Sequence, residues 1–566
     1  MTAVPMTHKL TPPTALKPWL RVLAYGVSAA TFTLQPALAQ NAPGAGSLLQ
    51  QAEPRLAPLP SPAGTGLQIE PAPAPALPPS DPFLVQRIEI TGNSVFSTPA
   101  LLALVAQAQG QRLTLPQLGE LTSRITAYYR SRGYPLARAI IPAQTIAEGV
   151  VRIQVVEANY GKIRLENASA VADAVFAAAL APLQSGQVID QTALDQALLK
   201  IGDVPGVVVG ATLEPGAQVG SSDLLVSLTP GPAVTGNVVL DNNGNRFTGR
   251  SRIGATLNLL NPLQHGDVLS LSVLSSGSGM NYTRVAYETL LNAQGFRLGG
   301  SYSALKYAMG VPDGTAQVQS LWAKHTLLRS RTSNVYAQLQ FDKFILRDHA
   351  ATVQTDRHMD NLTASLAGDL RDAFLAGAVN TWSASWTGGR IGFDDAAAAL
   401  ANAGTTNTQG RFSKVNVSLS RLQNLSASSA VYLAVSGQWA SGNLDSSQKM
   451  LAGGPYTVRA YDMGAVSGDT GYLAVAEWRQ DMGPAWGGQW QALAFIDSAR
   501  VTVNKNLWPQ ATAANSATLS GAGVGLNWAG PQWSAKSYLA TALGPTPALV
   551  PTNNAWRVWI EVSRRF

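Results

Sequence analysis

Short segments in which apolar and polar residues alternate fill the chain from about residue 233 to its last residue, Phe566. In the final segment the apolar residues occupy even-numbered positions, which would share one face of a strand: Trp556, Val558, Ile560, Val562 and Phe566. The polar residues Arg557, Glu561, Ser563 and Arg565 occupy odd-numbered positions, on the opposite face. A period of two predicts β-strands with one apolar and one polar face. About sixteen such strands of about ten residues fit in this region, with turns rich in Gly, Asn, Asp and Ser between them.

This alternation has two interpretations. In a transmembrane β-barrel the apolar face meets lipid and the polar face meets the lumen, whereas in a bundle of soluble β-domains it would separate core from solvent. The composition favours the barrel, because only 13% of the residues are charged, where about 25% is usual in soluble proteins. No uncharged apolar run approaches the roughly 20 residues of a spanning helix, which excludes a helical membrane protein.

The amino terminus predicts export. Lys9, Lys17 and Arg21 precede an apolar stretch at 22–34, and Ala-Leu-Ala at 37–39 has the form of a cleavage site. We therefore expect residues 1–39 to be a signal peptide. Its removal leaves a net charge of about +4 (7 − 3), which is too mild to indicate a nucleic-acid partner. The chain has no Cys, so disulfides and thiolate metal sites are excluded.

Residues 40–81 contain ten prolines, a composition typical of an extended linker without a core. Within them, 47–53 predicts one or two helical turns, with Ser47 as the N-cap. So short a helix is marginal alone and needs a surface or a pore to hold it.

Two compact α+β units follow, each in the order strand, helix, helix, strand, strand. The first predicts strands at 85–91, 136–141 and 150–156 and helices at 97–107 and 116–131. The second predicts strands at 162–165, 206–213 and 223–228 and helices at 171–180 and 192–201. The element order therefore repeats over roughly 75 residues, more clearly in the first unit than in the second.

Four stretches carry a resemblance to a known family. They are Tyr-Tyr-Arg-Ser-Arg-Gly-Tyr-Pro-Leu-Ala at 128–137 with Gly-Val-Val-Arg-Ile at 149–153 and Glu157; Asp-Asn-Asn-Gly at 241–244 with Asn-Pro-Leu at 261–263; Gly-Gly-Pro-Tyr-Thr-Val-Arg-Ala-Tyr at 453–461; and Phe-Ile-Asp at 495–497. Together they resemble the outer-membrane transporters of two-partner secretion, the haemolysin-activator and filamentous-haemagglutinin transporter type (ShlB/FhaC/HecB). These belong to a superfamily that joins polypeptide-transport-associated (POTRA) domains to a β-barrel.

The resemblance implies a mostly β fold, with a barrel of about sixteen antiparallel strands preceded by two small α+β POTRA domains. The expected division is a signal peptide at 1–39, a short helix and linker at 40–81, POTRA domains at 82–157 and 158–232, and a barrel at 233–566 with a lumenal loop around 451–464. Such a protein would lie in the outer membrane of a Gram-negative bacterium, with its POTRA domains in the periplasm. A barrel-assembly factor, a passive porin and a soluble all-β adhesin are the alternatives.

The function implied is export of a large secreted partner, of adhesin or cytolysin type, through the barrel without ATP. Outer-membrane lipid is a second expected partner. The barrel-assembly machinery is a third, expected to recognise the C-terminal strand through Trp556, Val558, Ile560 and Phe566. We expect no cofactor, no metal, no nucleic acid and no enzymatic activity. The chain has no Gly-x-Ser-x-Gly elbow, and Gly244–Ser251 carries Arg250 where a phosphate loop needs Lys, so we predict a turn there.

The loop-tip residues Val458, Arg459 and Tyr461 are predicted to meet Asp497 inside the lumen. The planar guanidinium of Arg459 suits a carboxylate because it makes two parallel charge-assisted bonds; the alternative is a solvated surface loop. Glu477 and Arg479 are further lumenal charges, or else a solvated pair. Ala460 departs from the family, which has Gly at this position, and Ala does not share the conformational freedom of Gly.

Two further sites follow from the resemblance. An exposed POTRA sheet edge would accept an extended client segment as an added strand, with Leu101, Leu104 and Tyr134 as candidate side-chain contacts or else core residues. The short helix, with Leu48, Leu49 and Gln50, would plug the pore or else be part of the linker.

Overall fold

A computed structural model describes residues 42–53, the backbone of 67–68, and 78–566 except for 293, 351–352, 512 and 551–552. The described residues form one compact unit. The predicted signal peptide and most of the predicted linker lie outside the described residues. No helix among those described is long and apolar enough to cross a membrane.

The amino-terminal elements are a helix, α1 (Ala45–Ala52), and a two-residue strand, β1 (Leu67–Gln68). The first α+β domain then contains β2 (Phe83–Leu84), β3 (Arg87–Thr91), α2 (Thr98–Val105), β4 (Arg112–Leu113), α3 (Leu115–Ser131), β5 (Arg138–Ile140) and β6 (Val150–Val156). Its main sheet has the order β3-β6-β5, with β3 parallel to β6. A capping box of Thr114 and Gln117 begins α3. This local signal explains why the helix starts within one residue of its predicted first residue.

The second α+β domain repeats this order. Its elements are β7 (Asn159–Asn167), α4 (Asp173–Leu180), α5 (Gln191–Gly202), β8 (Val207–Pro215) and β9 (Ser221–Pro230). The sheet order is β1-β8-β9-β7, so the linker strand β1 lies in parallel along the edge of β8. The edge of this sheet therefore already carries an added strand from outside the domain.

The described remainder of the chain forms a closed barrel of sixteen antiparallel strands. They are β10 (Val234–Asp241), β11 (Arg252–Leu260), β12 (Val268–Ser275), β13 (Met280–Leu290), β14 (Arg297–Ala308), β15 (Asp313–Arg329), β16 (Ser333–Ala350), β17 (Val353–Asp372), β18 (Ala378–Phe393), β19 (Gly410–Asn424), β20 (Ser429–Ala440), β23 (Thr470–Ala485), β24 (Gly488–Thr502), β25 (Ser516–Ala529), β26 (Trp533–Ala542) and β27 (Trp556–Arg565). The pairing of β10 with β27 closes the barrel. The predicted fold class is confirmed.

The two faces of each barrel strand follow the sequence alternation. On β20, Leu433 and Val435 point outward and are about half exposed, whereas Gln438 is buried inside. Gly244–Ser251 joins β10 to β11 as a turn, and a strand follows it rather than a helix. The prediction of a turn at this point is therefore confirmed.

The connection from β20 to β23 folds into the barrel rather than away from it. It contains a small hairpin of β21 (Met450–Ala452) and β22 (Val466–Gly468), and we call residues 441–469 the lumenal loop. A further helix, α6 (Ala396–Ala403), lies in the turn between β18 and β19 at the same end of the barrel.

The second α+β domain is fixed to the opposite end of the barrel by ion pairs. Two of the three guanidinium nitrogens of Arg329, Nε and Nη2, donate to the two carboxylate oxygens of Asp203, each at 2.8 Å. In the same turn, Arg331 Nη2 donates to Asp195 of α5 at 2.6 Å. These contacts place the domain against the end of the barrel that carries the shorter turns.

Candidate functional site: the barrel lumen

Arg459 holds the tip of the lumenal loop against the barrel wall. Its Nε and Nη2 donate to the two carboxylate oxygens of Asp497 on β24 at 2.8 and 2.7 Å. Its backbone amide donates to the same carboxylate at 3.1 Å. Arg459 is 3% exposed and Asp497 is fully buried, so this pair is shielded from solvent, and loss of either partner would leave a buried charge without a counterion.

Glu477 and Arg479 extend this contact along β23. Arg459 Nη1 donates to Glu477 Oε1 at 2.7 Å, and Arg479 donates to the other oxygen of Glu477 at 2.6 and 2.9 Å. The Arg459 guanidinium also stands 3.4 Å from the ring centroid of Phe495, a cation–π contact. Two carboxylates thus face two arginines in the lumen, so the loop is tied to two neighbouring strands.

Ala460 is accommodated by a glycine on the wall. Its backbone does not adopt a positive φ, so the conformation here does not require Gly. Its methyl group instead faces Gly521 of β25, where an added Cβ would lie 2.5 Å from that of Ala460. Val458 and Tyr461, on either side, are buried in the cluster beneath the loop.

The loop also contacts the last strand. Trp559 Nε1 on β27 donates to the carbonyl oxygen of Arg459 at 2.7 Å, and Tyr456 donates its hydroxyl to Glu561 at 2.7 Å. Trp559 shares a face of the final strand with the polar residues Arg557 and Glu561. A Trp on this inward face is the sequence signal that could have predicted a contact between the strand and the lumenal loop. The outward parity holds Trp556, Val558 and Ile560, all exposed to about half or more.

Helix α1 occupies the lumen. Its residues Leu48 and Leu49 are buried at 0 and 1% exposure, against inward-facing wall residues Tyr282, Tyr307 and Leu346. Gln50 donates to the carbonyl oxygen of Ser447 in the lumenal loop. The helix therefore lies between the wall and the loop.

The N-cap predicted for this helix is wrong. Gly44, not Ser47, is the N-cap, and Ser47 Oγ instead donates to the carbonyl oxygen of Gly44 at 3.0 Å. Because Gly44 has no side chain, Asp348 of β16 supplies the acceptor, taking a bond from the Ala45 amide at 2.7 Å. A carboxylate at a helix N-terminus is favourable. The wall, rather than the local sequence, stabilises the start of this helix.

The signature stretch of the first α+β domain surrounds a buried carboxylate. Glu157 accepts bonds from the Ser94 and Val95 amides at 2.9 and 3.0 Å and from the Tyr129 hydroxyl at 2.6 Å. Burial alone would raise the pKa of Glu157, but the bonds from Ser94, Tyr129 and Val95 hold it below its ordinary value of 4.5. Glu157 thereby ties the loop before α2 to the end of β6, which makes it structural.

The three client-contact candidates differ in accessibility. Leu101 is fully buried in the domain core, the alternative role left open for it. Leu104 and Tyr134 are partly buried around that core, and Tyr134 packs edge-on against Phe96 with ring centroids 5.7 Å apart. Of these three candidates, Leu104 and Tyr134 present surface that a client could touch, and Leu101 does not.

Other groups in the lumen escaped the sequence analysis. Asp348 and Arg557 are ordinary charged residues in alternating strands, and Asp462 lies in the lumenal loop just after the motif at 453–461; no spacing in the sequence marks their partners. In the part of the chain that the structure describes, no group of three His, Cys, Asp or Glu residues is placed to hold a metal ion.

Comparisons with known proteins agree with this arrangement. A family model described as POTRA domain, ShlB-type, matches residues 83–158, and one described as haemolysin secretion/activation protein ShlB/FhaC/HecB matches residues 220–528. The heme/hemopexin transporter protein HuxB of Haemophilus influenzae (strain 86-028NP) is 29% identical over 480 residues, which cover 82% of this chain and 84% of HuxB. The outer membrane transporter CdiB of Escherichia coli is 24% identical over 412 residues, or 69% of this chain and 67% of CdiB.

The solved structure of CdiB from Escherichia coli has the same fold, with a TM-score of 0.66 at 21% identity, over 88% of this chain and 93% of that one. The POTRA match and the closed sixteen-stranded barrel define the class: an outer-membrane transporter with its POTRA domains in the periplasm. The family model covers more than half of the sequence, and the chain belongs to the haemolysin secretion/activation family ShlB/FhaC/HecB. It is therefore a two-partner secretion transporter that exports a partner protein.

Proposed function

We propose that the protein is dedicated to one large exoprotein of adhesin or cytolysin type, which passes through the barrel when α1 and the lumenal loop leave it. The observation that carries this proposal is that the lumen is filled by two segments that are bonded to the wall but are not part of it. Helix α1 is joined to the rest of the protein at its C-terminal end, and the lumenal loop is joined to β20 and β23 at its two ends. Neither segment is a barrel strand, so each can move without unfolding the barrel.

The wall behind α1 supports a movable helix. Its inward-facing apolar residues form one cluster with Leu48 and Leu49: Met280, Tyr282, Leu305, Tyr307, Ala316, Val318, Phe344, Leu346 and Met359. The lumen of a barrel channel is ordinarily polar. When α1 leaves, this patch would offer apolar contact to an extended client segment. We infer that it serves client and helix in turn.

Client recognition in the periplasm is proposed to use strand addition. Main-chain bonds to a sheet edge accept any sequence, while side chains along the edge add specificity. The pairing of β1 with β8 supports this, because a segment outside the second POTRA domain already takes such a position. In the first domain, β5 is an outer strand of the sheet order, and Ile140 on it is 39% exposed.

The energy source is proposed to be folding of the client outside the cell, which prevents it from sliding back. Assembly of the transporter itself is proposed to depend on recognition of β27 by the barrel-assembly machinery, with Trp556, Val558, Ile560 and Phe566 on the lipid side. These outward residues are 49–60% exposed, as a lipid-facing strand requires.

Culture-supernatant proteomes of the native strain, a deletion strain and an Arg459→Ala strain test the proposal. Loss of one large exoprotein in both altered strains, with the Arg459→Ala barrel still present in the membrane, is the expected result. Arg421→Ala is the matched control, because Arg421 pairs with Asp372 at 2.7 Å within the wall and does not touch the loop. Unchanged supernatants with depleted outer-membrane barrels would instead indicate an assembly factor.

A further inference from the structure

Two arginines stand side by side on the outer face of the barrel, towards the end away from the POTRA domains. Arg390 on β18 and Arg411 on β19 are directly opposite each other in the register of the two strands, and both are exposed. Side chains in such a pair have Cβ atoms about 4.5–5.5 Å apart, and like charges there are destabilising. The wall therefore holds two cations together where either alone would be more favourable.

No carboxylate of the barrel compensates this pair. In the part of the chain that the structure describes, neither guanidinium forms an ion pair or a hydrogen bond. The outward carboxylates further along the same strands already have partners. Asp394 contacts His358 Nδ1 at 2.6 Å, and Asp356 lies 3.8 Å from Arg347. The two arginines are therefore available to an anion from outside the chain.

Two more charges continue the row across the neighbouring strands. Asp360 of β17 is opposite Arg390, and Lys343 of β16 is opposite Asp360. Both are exposed, and neither forms an ion pair with another described residue. We call Lys343, Asp360, Arg390 and Arg411 the basic row. Its net charge is +2 (3 − 1), so it attracts anions despite the one carboxylate.

The basic row lies at the border of the lipid-facing surface. Two positions nearer the POTRA end of the same strands, the outward residues include Phe341 and Leu362, which are 43 and 42% exposed. Trp386 of β18 and Trp439 of β20 follow on this face, at 48 and 54% exposure. Trp is enriched where a membrane meets water, and Arg390 is four residues beyond Trp386, about 13 Å along the strand. The row is therefore level with the headgroups of the outer leaflet.

We propose that Arg390 and Arg411 together bind a phosphate group of an outer-leaflet lipid of the lipid A class, whose acyl chains lie on the apolar face beside the row. The planar fork of each guanidinium suits a phosphate, and an anion between the two removes their repulsion. Lys343 is two strands from Arg390, about 10 Å away, and offers a donor for a second phosphate. This goes beyond the proposed function, because it concerns the lipid around the barrel and not the client.

Native mass spectrometry of the purified full chain in detergent micelles, titrated with lipid A that carries two phosphates, tests the proposal. Arg390→Gln and Arg411→Gln should each raise the Kd for lipid A by about tenfold, because each removes a charge-assisted contact. Arg500→Gln is the matched control. Arg500 on β24 is also exposed and forms no ion pair with a described residue, but it is opposite Tyr472 and Thr518 and not a second base. Its substitution should change the Kd by less than about twofold.

Asp360→Asn provides a change in the opposite direction. It removes the one acid of the basic row, so the Kd for lipid A should fall by about threefold. The substituted side chains are all exposed, and the main-chain pairing of the strands stays the same, so we expect each variant to assemble. If an arginine variant does not assemble, the sign of the Asp360→Asn effect decides the question: an unchanged or higher Kd would contradict the proposal.

The proposal is overturned if Arg390→Gln and Arg411→Gln bind lipid A as tightly as Arg500→Gln does. Equal binding of lipid A from which both phosphates have been removed would overturn it as well. Inorganic phosphate that displaces lipid A at matched concentration would assign the row to a free anion, and an acidic peptide that does so would assign it to a protein; either result overturns the lipid. None of these outcomes depends on secretion, so failure here is separable from failure of the proposed function.

Discussion

Arg459→Ala is the sharpest perturbation of the resting pore. The substitution removes both bonds to Asp497 and the bond to Glu477. It leaves Asp497, which is fully buried, without its arginine. The barrel strands themselves keep all of their main-chain pairing, so the predicted effect is release of the loop and not loss of the fold.

The magnitude follows from burial. Removing one partner of a buried ion pair costs about 3–5 kcal/mol, since the remaining charge is left without a counterion. That corresponds to a shift in the loop-docking equilibrium of about a hundredfold to a few thousandfold. The backbone amide of position 459 can still donate to Asp497, which places the expected effect toward the lower end.

A thiol reporter measures this shift. Val458 is fully buried when the loop is docked, and Val458→Cys would be the single Cys in the chain. Modification by a maleimide should then be slow in the otherwise native protein and faster in proportion to the undocked fraction. The double variant with Arg459→Ala and Asp497→Asn should reduce the free energy of loop docking by less than the sum of the two single changes, because the two residues act as a pair.

The reasoning is refuted if Arg459→Ala labels no faster than Arg421→Ala. Arg421 also pairs with an aspartate, but both side chains are 32% exposed, and the pair lies outside the loop, so its loss should leave the docking of the loop unchanged.

Three further outcomes are expected. Asp348→Ala removes the acceptor of the Ala45 amide, and should raise the open probability of the channel in planar bilayers roughly fivefold, as expected for loss of a helix cap. An unchanged open probability would mean that α1 is held by other contacts. Gly521→Ala would place a methyl group 2.5 Å from that of Ala460. The same labelling assay should therefore report that the free energy of loop docking is reduced by about 1–3 kcal/mol, and Ala460→Gly in the same chain should restore most of that free energy. Because the pKa of Glu157 is lowered on folding, its stabilisation of the first POTRA domain is present above its ordinary pKa and is lost as the pH falls through the folded value. Calorimetry of the full chain should therefore show a constant POTRA transition down to about pH 5 and a falling one below it, and Glu157→Gln should flatten that dependence.

The barrel was predictable because its strands obey a simple rule. Outward residues such as Leu433 and Val435 must be apolar for lipid, so a period of two persists through the strands. Turn residues such as those of Gly244–Ser251 then mark where strands end. The α+β domains were predictable for a similar reason, since a capping box at Thr114 and an N-cap at Asp190 mark helix starts locally.

The contents of the lumen were less predictable, because contacts there join distant segments. Leu346 and Met359 face inward yet are apolar, which only the presence of α1 explains. The cap of α1 comes from Asp348, 303 residues further along the chain, so local sequence misplaced it at Ser47. Asp462 meets Arg250 and Arg557 across 212 and 95 residues, and no pattern within one segment predicts such a bridge.

The central claim is that the partner protein passes through the lumen. Photo-crosslinking from two adjacent positions of β20 tests it: Ser436 has the inward parity of Gln438, and Val435 points outward and is 53% exposed. The exoprotein identified from the supernatants would be stalled during export by a stably folded C-terminal fusion. The account predicts crosslinks to the stalled chain from position 436 and none from 435. Equal crosslinking from both positions, or crosslinks from 435 alone, would contradict passage through the barrel.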